Sequence, residues 1–289
     1  MKLATFTAGG AAEIGVIEGR TILSLSRAAP RLAGTMAELI ARWSEAETEI
    51  RALLDGRSGR LPLEGIHLLA PIPRPGKILA IGLNYRDHIA EIGCEPPAKP
   101  VWFCKLSTAA AGPYDPIPLP AVSTAVDYEA ELVAVIGQGG RHISRAEAPA
   151  AVFGFCCGND VSARDWQNAT PQWLLGKSFD GHAPFGPWIT TADEAGDPHR
   201  LSVKSFVNGE LRQNSNTRHL LFDVWDQIAY VSQVTTLEAG DIVFTGTPGG
   251  AGMGFKPPKY LKTGDVVRIE VGGLGHLEAT CRKEEDFSS

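Results

Sequence analysis

The 289-residue chain contains no C-x-x-C, and its cysteines are odd in number: Cys94, Cys104, Cys156, Cys157 and Cys281. Neither a disulfide framework nor a thiolate zinc site is expected, and the thiols read as reduced side chains of a cytoplasmic protein. No apolar run approaches the roughly 20 residues that cross a bilayer, and MKLATFTAGGAAEIGVIEG at the N-terminus carries no secretory h-region. Positive charge is not in excess: 27 Lys and Arg against 33 Asp and Glu give a net −6, with no basic helix. Nucleic acid and membrane are therefore not expected partners. The glycine-rich FTGTPGGAGMGF (244–255) has no G-K-[S/T] and no helix-opening G-x-G-x-x-G, which argues against nucleotide binding. Its backbone amides and the Thr247 hydroxyl can still approach a small anion closely, because glycine removes the steric barrier.

With 44% hydrophobic and 21% charged residues, the chain has the makings of a packed core. Residues 1–70 read as a small N-terminal α/β domain with the short strands KLATF and EIGVIEG. A helix follows, opened by a Thr35–Glu38 capping box and carried through Leu39, Ile40, Trp43, Ile50, Leu53 and Leu54 to Gly56. LLAPIPRPGK (68–77), with three prolines, reads as a linker. Residues 71–289 give short apolar runs closed by Gly, Asn or Pro, the pattern of a β-rich α+β domain. Asn208-Gly209 predicts a two-residue hairpin turn. Leu221, Val224, Trp225, Ile228 and Val231 predict a helix over 217–234, and Ser144 with Glu147 a shorter one.

Four groups of polar residues have no role in that scheme. In TAVDYEAELVAVIG (124–137), strand alternation turns Glu129 and Glu131 to one face, where like charges repel. A wet outer face would explain them, and so would a cation held between them. Asp160, where an apolar run ends in CGNDVSARDWQ, would complete a set of three carboxylates; a turn or helix cap is the other reading. Three hard oxygen ligands suit Mg²⁺ or Mn²⁺ and leave coordination sites for a substrate. Three carboxylates and one divalent ion still sum to −1, so an anionic substrate needs further cations. Lys105, Arg164 and Lys177 are the candidates, with the neutral Gln167 beside Arg164 in ARDWQ and both lysines closing apolar runs. Finally, His88 and Glu91 share a face if NYRDHIAEIG (84–93) is helical, the arrangement of a general base and its orienting carboxylate.

GLNYRDH, DYEAEL, GNDVSARDWQ, GKSFDG…GPW, VNGELRQNSNT and GDIVFTGTPGGAGMG occur in that order. Together they resemble the fumarylacetoacetate hydrolase family, with the closing segment similar to a bacterial diketo-acid hydrolase subgroup. The resemblance implies a mixed β-roll, a homodimer, and one Mg²⁺ or Mn²⁺ on Glu129, Glu131 and Asp160. It also implies a His88–Glu91 catalytic pair assisted by Lys177, and substrate contacts from Lys105, Arg164, Gln167 and Thr247. The activity implied is hydrolysis of a C–C bond in a 2,4-diketo acid of the acylpyruvate type. Decarboxylation, dehydration or isomerisation of a related 2-keto acid, or keto-acid binding without turnover, are the alternatives. Where some relatives read G-R-N-Y this chain has Gly82-Leu83-Asn84-Tyr85, so a guanidinium for a second carboxylate is missing unless Arg86 replaces it.

Overall fold

The run Ala130–Ile136 is buried along its entire length, so both of its faces must be covered. Leu132, Ala134 and Ile136 enter one hydrophobic cluster, and Val133 and Val135 enter another. The computed structural model, which describes residues 1–56 and 58–287, shows how the chain covers them. This strand lies between Val152–Asn159 and Ile242–Phe244 in a twelve-stranded mixed sheet. Over one face lies a five-stranded sheet that contributes Val203, Val267, Ile269 and Leu277. On the other face pack the N-terminal helices Met36–Ala41 and Trp43–Leu54, through Leu39, Ile40 and Ile50. Residues 1–70 also lengthen the large sheet, because Lys2–Thr7 pairs antiparallel with Ala183–Thr191.

Several local expectations hold. The Thr35–Glu38 capping box forms in both directions, at 3.2 and 2.8 Å. Asn208 (φ 53°) and Gly209 (φ 78°) turn the hairpin, with Val207 opposite Glu210. All five cysteines are free, and no helix among the described residues is long and apolar enough to cross a membrane.

Three helices differ from expectation. The first breaks at Arg42, where the chain leaves helical geometry (ψ 23°) and Trp43 packs edge-on against Phe153, centroids 4.9 Å apart. The helix expected over 217–234 is confined to Val224–Val231, after a short 3-10 turn at Thr217–His219. Asn84 causes this: its backbone oxygen accepts from the Leu221 amide and its side chain accepts from the Phe222 amide, holding both residues out of a helix. Asp223 then caps the start by accepting from the Asp226 amide. Ser144 and Glu147 form a hydrogen-bonded turn, and only Ala148–Ala151 is helical.

Two predictions follow from packing and burial. A Cβ at Gly158 would lie 2.4 Å from Val133 Cγ2 and 2.6 Å from Phe244 Cε1. Gly158→Ala should therefore cost about 1–3 kcal/mol, read as a lower urea midpoint; an unchanged midpoint would show that this layer yields freely. His182 is fully buried, and since the Pro118 carbonyl can only accept, Nε2 is its donor at 2.8 Å. Its Nδ1 has no hydrogen-bond partner, and burial pushes its pKa down to about 3. The unfolded chain takes up this proton near pH 6.5 and the folded chain only near 3. Stability is therefore complete above about pH 6.5 and falls as pH drops toward 3, by up to about 1.4 kcal/mol per unit. His182→Gln should flatten that acid limb in urea titrations; an identical slope would contradict the assignment.

Candidate metal centre and catalytic cavity

Antiparallel register builds the acidic centre. Ala130 pairs with Asn159 and Glu131 with Gly158, which sets Asp160 beside Glu129 at the exit of the two strands. The Asp160 amide donates to the Glu129 carbonyl at 3.0 Å, and the Asn159 side chain accepts from the Glu129 amide at 3.0 Å. One oxygen from each of Glu129, Glu131 and Asp160 lies within 4.8 Å of the others. All three are buried, with exposures of 5%, 2% and 0%, so the wet outer face is excluded.

Basic side chains are threaded between these acids. Lys177 Nζ donates to Glu129 Oε2 at 2.5 Å and to Asp160 Oδ2 at 2.6 Å. Lys105 Nζ donates to Asp160 Oδ1 and, at 3.0 Å, to the Val161 carbonyl. Arg164 Nη2 donates to Glu129 Oε1 at 2.6 Å and Nη1 to Gln167 Oε1 at 2.9 Å. Both lysines are buried, not the solvated groups that lone lysines commonly are.

The electrostatics single out Glu131. Burial pushes its pKa well above the carboxylate range, and Asp160 and Glu129 push it further. Burial raises Glu129 too, but Arg164 and Lys177 outweigh it and hold that carboxyl well below its ordinary value. Burial lowers Lys105 despite Asp160 beside it. Burial also works against the charge of Lys177, but Asp160 and Glu129 prevail and raise it. Among the described residues Glu131 accepts one hydrogen bond, from the Gly246 amide at 2.7 Å, and forms no ion pair. A hard divalent cation among the three oxygens fits this donor set and would supply the positive partner that Glu131 lacks.

The trio opens onto a cavity of about 130 Å³, lined also by His88, Arg164, Gln167, Lys177 and Thr247. Eight of the ten residues singled out from the sequence thus meet at one cavity. The other two stand a layer behind: Lys105 supports Asp160, and Glu91 supports His88. His88 and Glu91 do lie on a helix, Arg86–Ile92, with Nδ1 and Oε2 3.1 Å apart. Nε2 is the ring nitrogen left for chemistry. Leu83, in the left-handed region at φ 54°, lines the cavity with Ile92, Phe103, Trp173 and Met253, which makes the wall largely apolar. Arg86 is exposed and does not line it, so the guanidinium missing at Leu83 has no substitute there.

Two buried residues escaped the sequence reading. Gln213 accepts from the Ala130 amide and donates to Thr247 Oγ1 and the Pro248 carbonyl, while the Thr247 hydroxyl donates to the Ala130 carbonyl. Gln213 therefore ties the strand of the acidic centre to the glycine-rich loop, and the Thr247 proton is already committed. Asp127 is the second; it repeats the odd-numbered spacing of Glu129 and Glu131, the signal that could have found it.

The comparisons agree with this geometry. Residues 77–282 match the family model described as fumarylacetoacetate (FAA) hydrolase C-terminal. "Oxaloacetate tautomerase Fahd2a, mitochondrial" of Rattus norvegicus is 44% identical over 258 residues, covering 89% of this chain and 82% of the rat protein. The fumarylacetoacetate hydrolase structure from Exiguobacterium antarcticum is 39% identical with TM-score 0.86, covering 98% of this chain and 99% of its own. Maleylpyruvate hydrolase from Sphingobium sp. SYK-6, solved with manganese(II) and pyruvate, is 34% identical with TM-score 0.82 at the same coverage. By motif order, fold and sequence identity alike, this chain belongs to the fumarylacetoacetate hydrolase family.

Proposed function

We propose that this protein is a divalent-metal-dependent enzyme that moves a proton at C3 of a small 2-oxo acid, interconverting its keto and enol forms. The observation that carries this reading is the meeting of three buried carboxylates and a His88–Glu91 pair at one small cavity. Glu129, Glu131 and Asp160 would hold Mg²⁺ or Mn²⁺, which when bound supplies a Lewis acid for the carboxylate and keto oxygens of the substrate.

Charge favours a substrate that presents a carboxylate to the centre. With every group ionised, Asp127, Glu129, Glu131 and Asp160 against Lys105, Arg164 and Lys177 in the interior leave one negative charge in excess. A divalent ion converts that to one positive charge, which a single carboxylate cancels. His88 is the imidazole at the cavity, and with Nδ1 turned to Glu91 its Nε2 takes the proton from C3 and passes it to the enolate oxygen at C2, the reverse path restoring the keto form. Lys177, kept protonated by its acidic neighbours, lends positive charge to the developing enolate. Gln167 offers its Nε2 as a donor, because its oxygen is engaged by Arg164. Oxaloacetate is the first substrate to test, since the rat relative is named for its tautomerisation. Its second carboxylate finds amides and an imidazole in this cavity, not a free guanidinium.

Hydrolytic cleavage of C3–C4 in an acylpyruvate is the second reading, favoured by the same His88–Glu91 pair and the likeness to maleylpyruvate hydrolase. In that case His88 Nε2 takes a proton from water. Decay of enol-oxaloacetate absorbance, run beside a panel of acylpyruvates, separates the two. The proposal expects accelerated enol decay with Mn²⁺ and its loss with a chelator; acylpyruvate cleavage alone would replace it with the second reading.

His88→Ala should lower kcat for tautomerisation by about 10²–10⁴-fold while Mn²⁺ affinity by calorimetry stays at the parental value. Turnover at the parental rate would remove His88 from the mechanism. Glu131→Gln should keep the metal-free Tm near the parental one, since burial and its acidic neighbours already disfavour the charge that the amide lacks. It should also abolish the Tm rise that Mn²⁺ gives the parent, a stabilisation of about 2.7 kcal/mol at a hundredfold excess over Kd. A variant that still gains stability from Mn²⁺ would contradict the ligand set.

A further inference from the structure

One buried acid has no part in the reaction so far. Asp127 is completely inaccessible, yet its carboxylate is crowded with donors. Oδ2 accepts from Arg164 Nε at 2.9 Å and from the Met253 amide at 3.0 Å, and Oδ1 accepts from the Gly252 amide at 2.7 Å and the Tyr128 amide at 2.9 Å. Two residues earlier in the same loop, the Gly250 amide donates to Glu91 Oε1 at 3.0 Å, and the other oxygen of Glu91 faces His88 Nδ1. Side chains are barred from these contacts. A Cβ at position 252 would lie 2.5 Å from Asp127 Oδ1, and one at 254 would lie 2.8 Å from the Glu91 carboxyl. Glycine lets one short loop carry a carboxylate at each end.

We propose that Asp127 is a positioning residue that aligns the proton-transfer pair with the acidic centre. Through the amides of 250–253 it fixes Glu91 and hence the His88 ring, and through Arg164 it fixes Glu129. This rests on the reading of His88 as the proton carrier. A bland role is the rival: Asp127 merely neutralises the buried Arg164. The two differ in what happens at Gly250 and His88, which Asp127 does not touch.

The test uses Asp127→Asn and Gly254→Ala in the full chain, read by amide hydrogen exchange and by the NMR signal of His88 Nδ1–H. Asp127→Asn should speed exchange about tenfold at Gly250 as well as at Gly252 and Met253, and should shift or erase the His88 signal. Gly254→Ala should shift the same signal while Gly252 and Met253 keep their protection and Mn²⁺ affinity stays parental. In both variants kcat should fall with KM nearly unchanged. If Asp127→Asn loosens only Gly252 and Met253, leaving Gly250 and His88 as in the parent, the proposal is overturned. Should that variant not fold, Asp127→Glu, which keeps the charge beside Arg164 but changes the reach to the loop amides, decides in its place, and parental exchange at Gly250 with a parental His88 signal would overturn the proposal. Exchange and NMR need no turnover, so an inactive parent would refute the enzymatic reading without touching this result.

Discussion

Four carboxylates buried in one interior cannot all remain charged unless cations accompany them, and this molecule supplies three: Lys105, Arg164 and Lys177. Burial pushes Glu131 well above the carboxylate range, its acidic neighbours add to the shift, and it forms no ion pair among the described residues. Strand register forces the acids together, since Ala130 opposite Asn159 leaves Asp160 beside Glu129. The vacancy in charge, not the acids alone, is what a divalent ion answers. On the proposed reading the same count favours a carboxylate-bearing substrate, because a loaded centre would balance one carboxylate.

The glycine-rich loop shows how an anion-binding expectation can be correct in chemistry and different in object. Its amides do bind anions, but those anions are the side chains of the protein itself: Gly246 serves Glu131, Gly250 serves Glu91, and Gly252 and Met253 serve Asp127. Each contact removes a charge-stabilising donor from solvent and gives it to a residue of the centre. Gln213 closes the same loop against the strand of the acidic centre through Thr247. The cavity, the His88–Glu91 pair and the acids therefore hang on one segment with few side chains.

Much of the centre was legible because it is written in local spacing. Glu129 and Glu131 share strand parity, His88 and Glu91 share a helical face, and Lys105 and Lys177 close apolar runs. Long-range partners were less legible: Asp160 was named as the third carboxylate, but the strand register that joins it to the glutamates is specified by no local pattern. Asp127 was passed over although its parity matches, because Val126–Asp127 pairs with Ser162–Ala163 in a separate two-stranded ladder and its carboxylate turns to Arg164 and the loop. The helix expected over 217–234 failed for the same reason: Asn84, more than a hundred residues away, claims the amides of Leu221 and Phe222. Propensity lost there to tertiary hydrogen bonding.

Anomalous diffraction from crystals soaked in Mn²⁺ tests the central claim most directly. A single strong peak per chain, about 2.1 Å from oxygens of Glu129, Glu131 and Asp160, is the predicted result. Crystals that hold manganese elsewhere, or that leave the three carboxylates facing only Lys177, Lys105 and Arg164, would contradict the account.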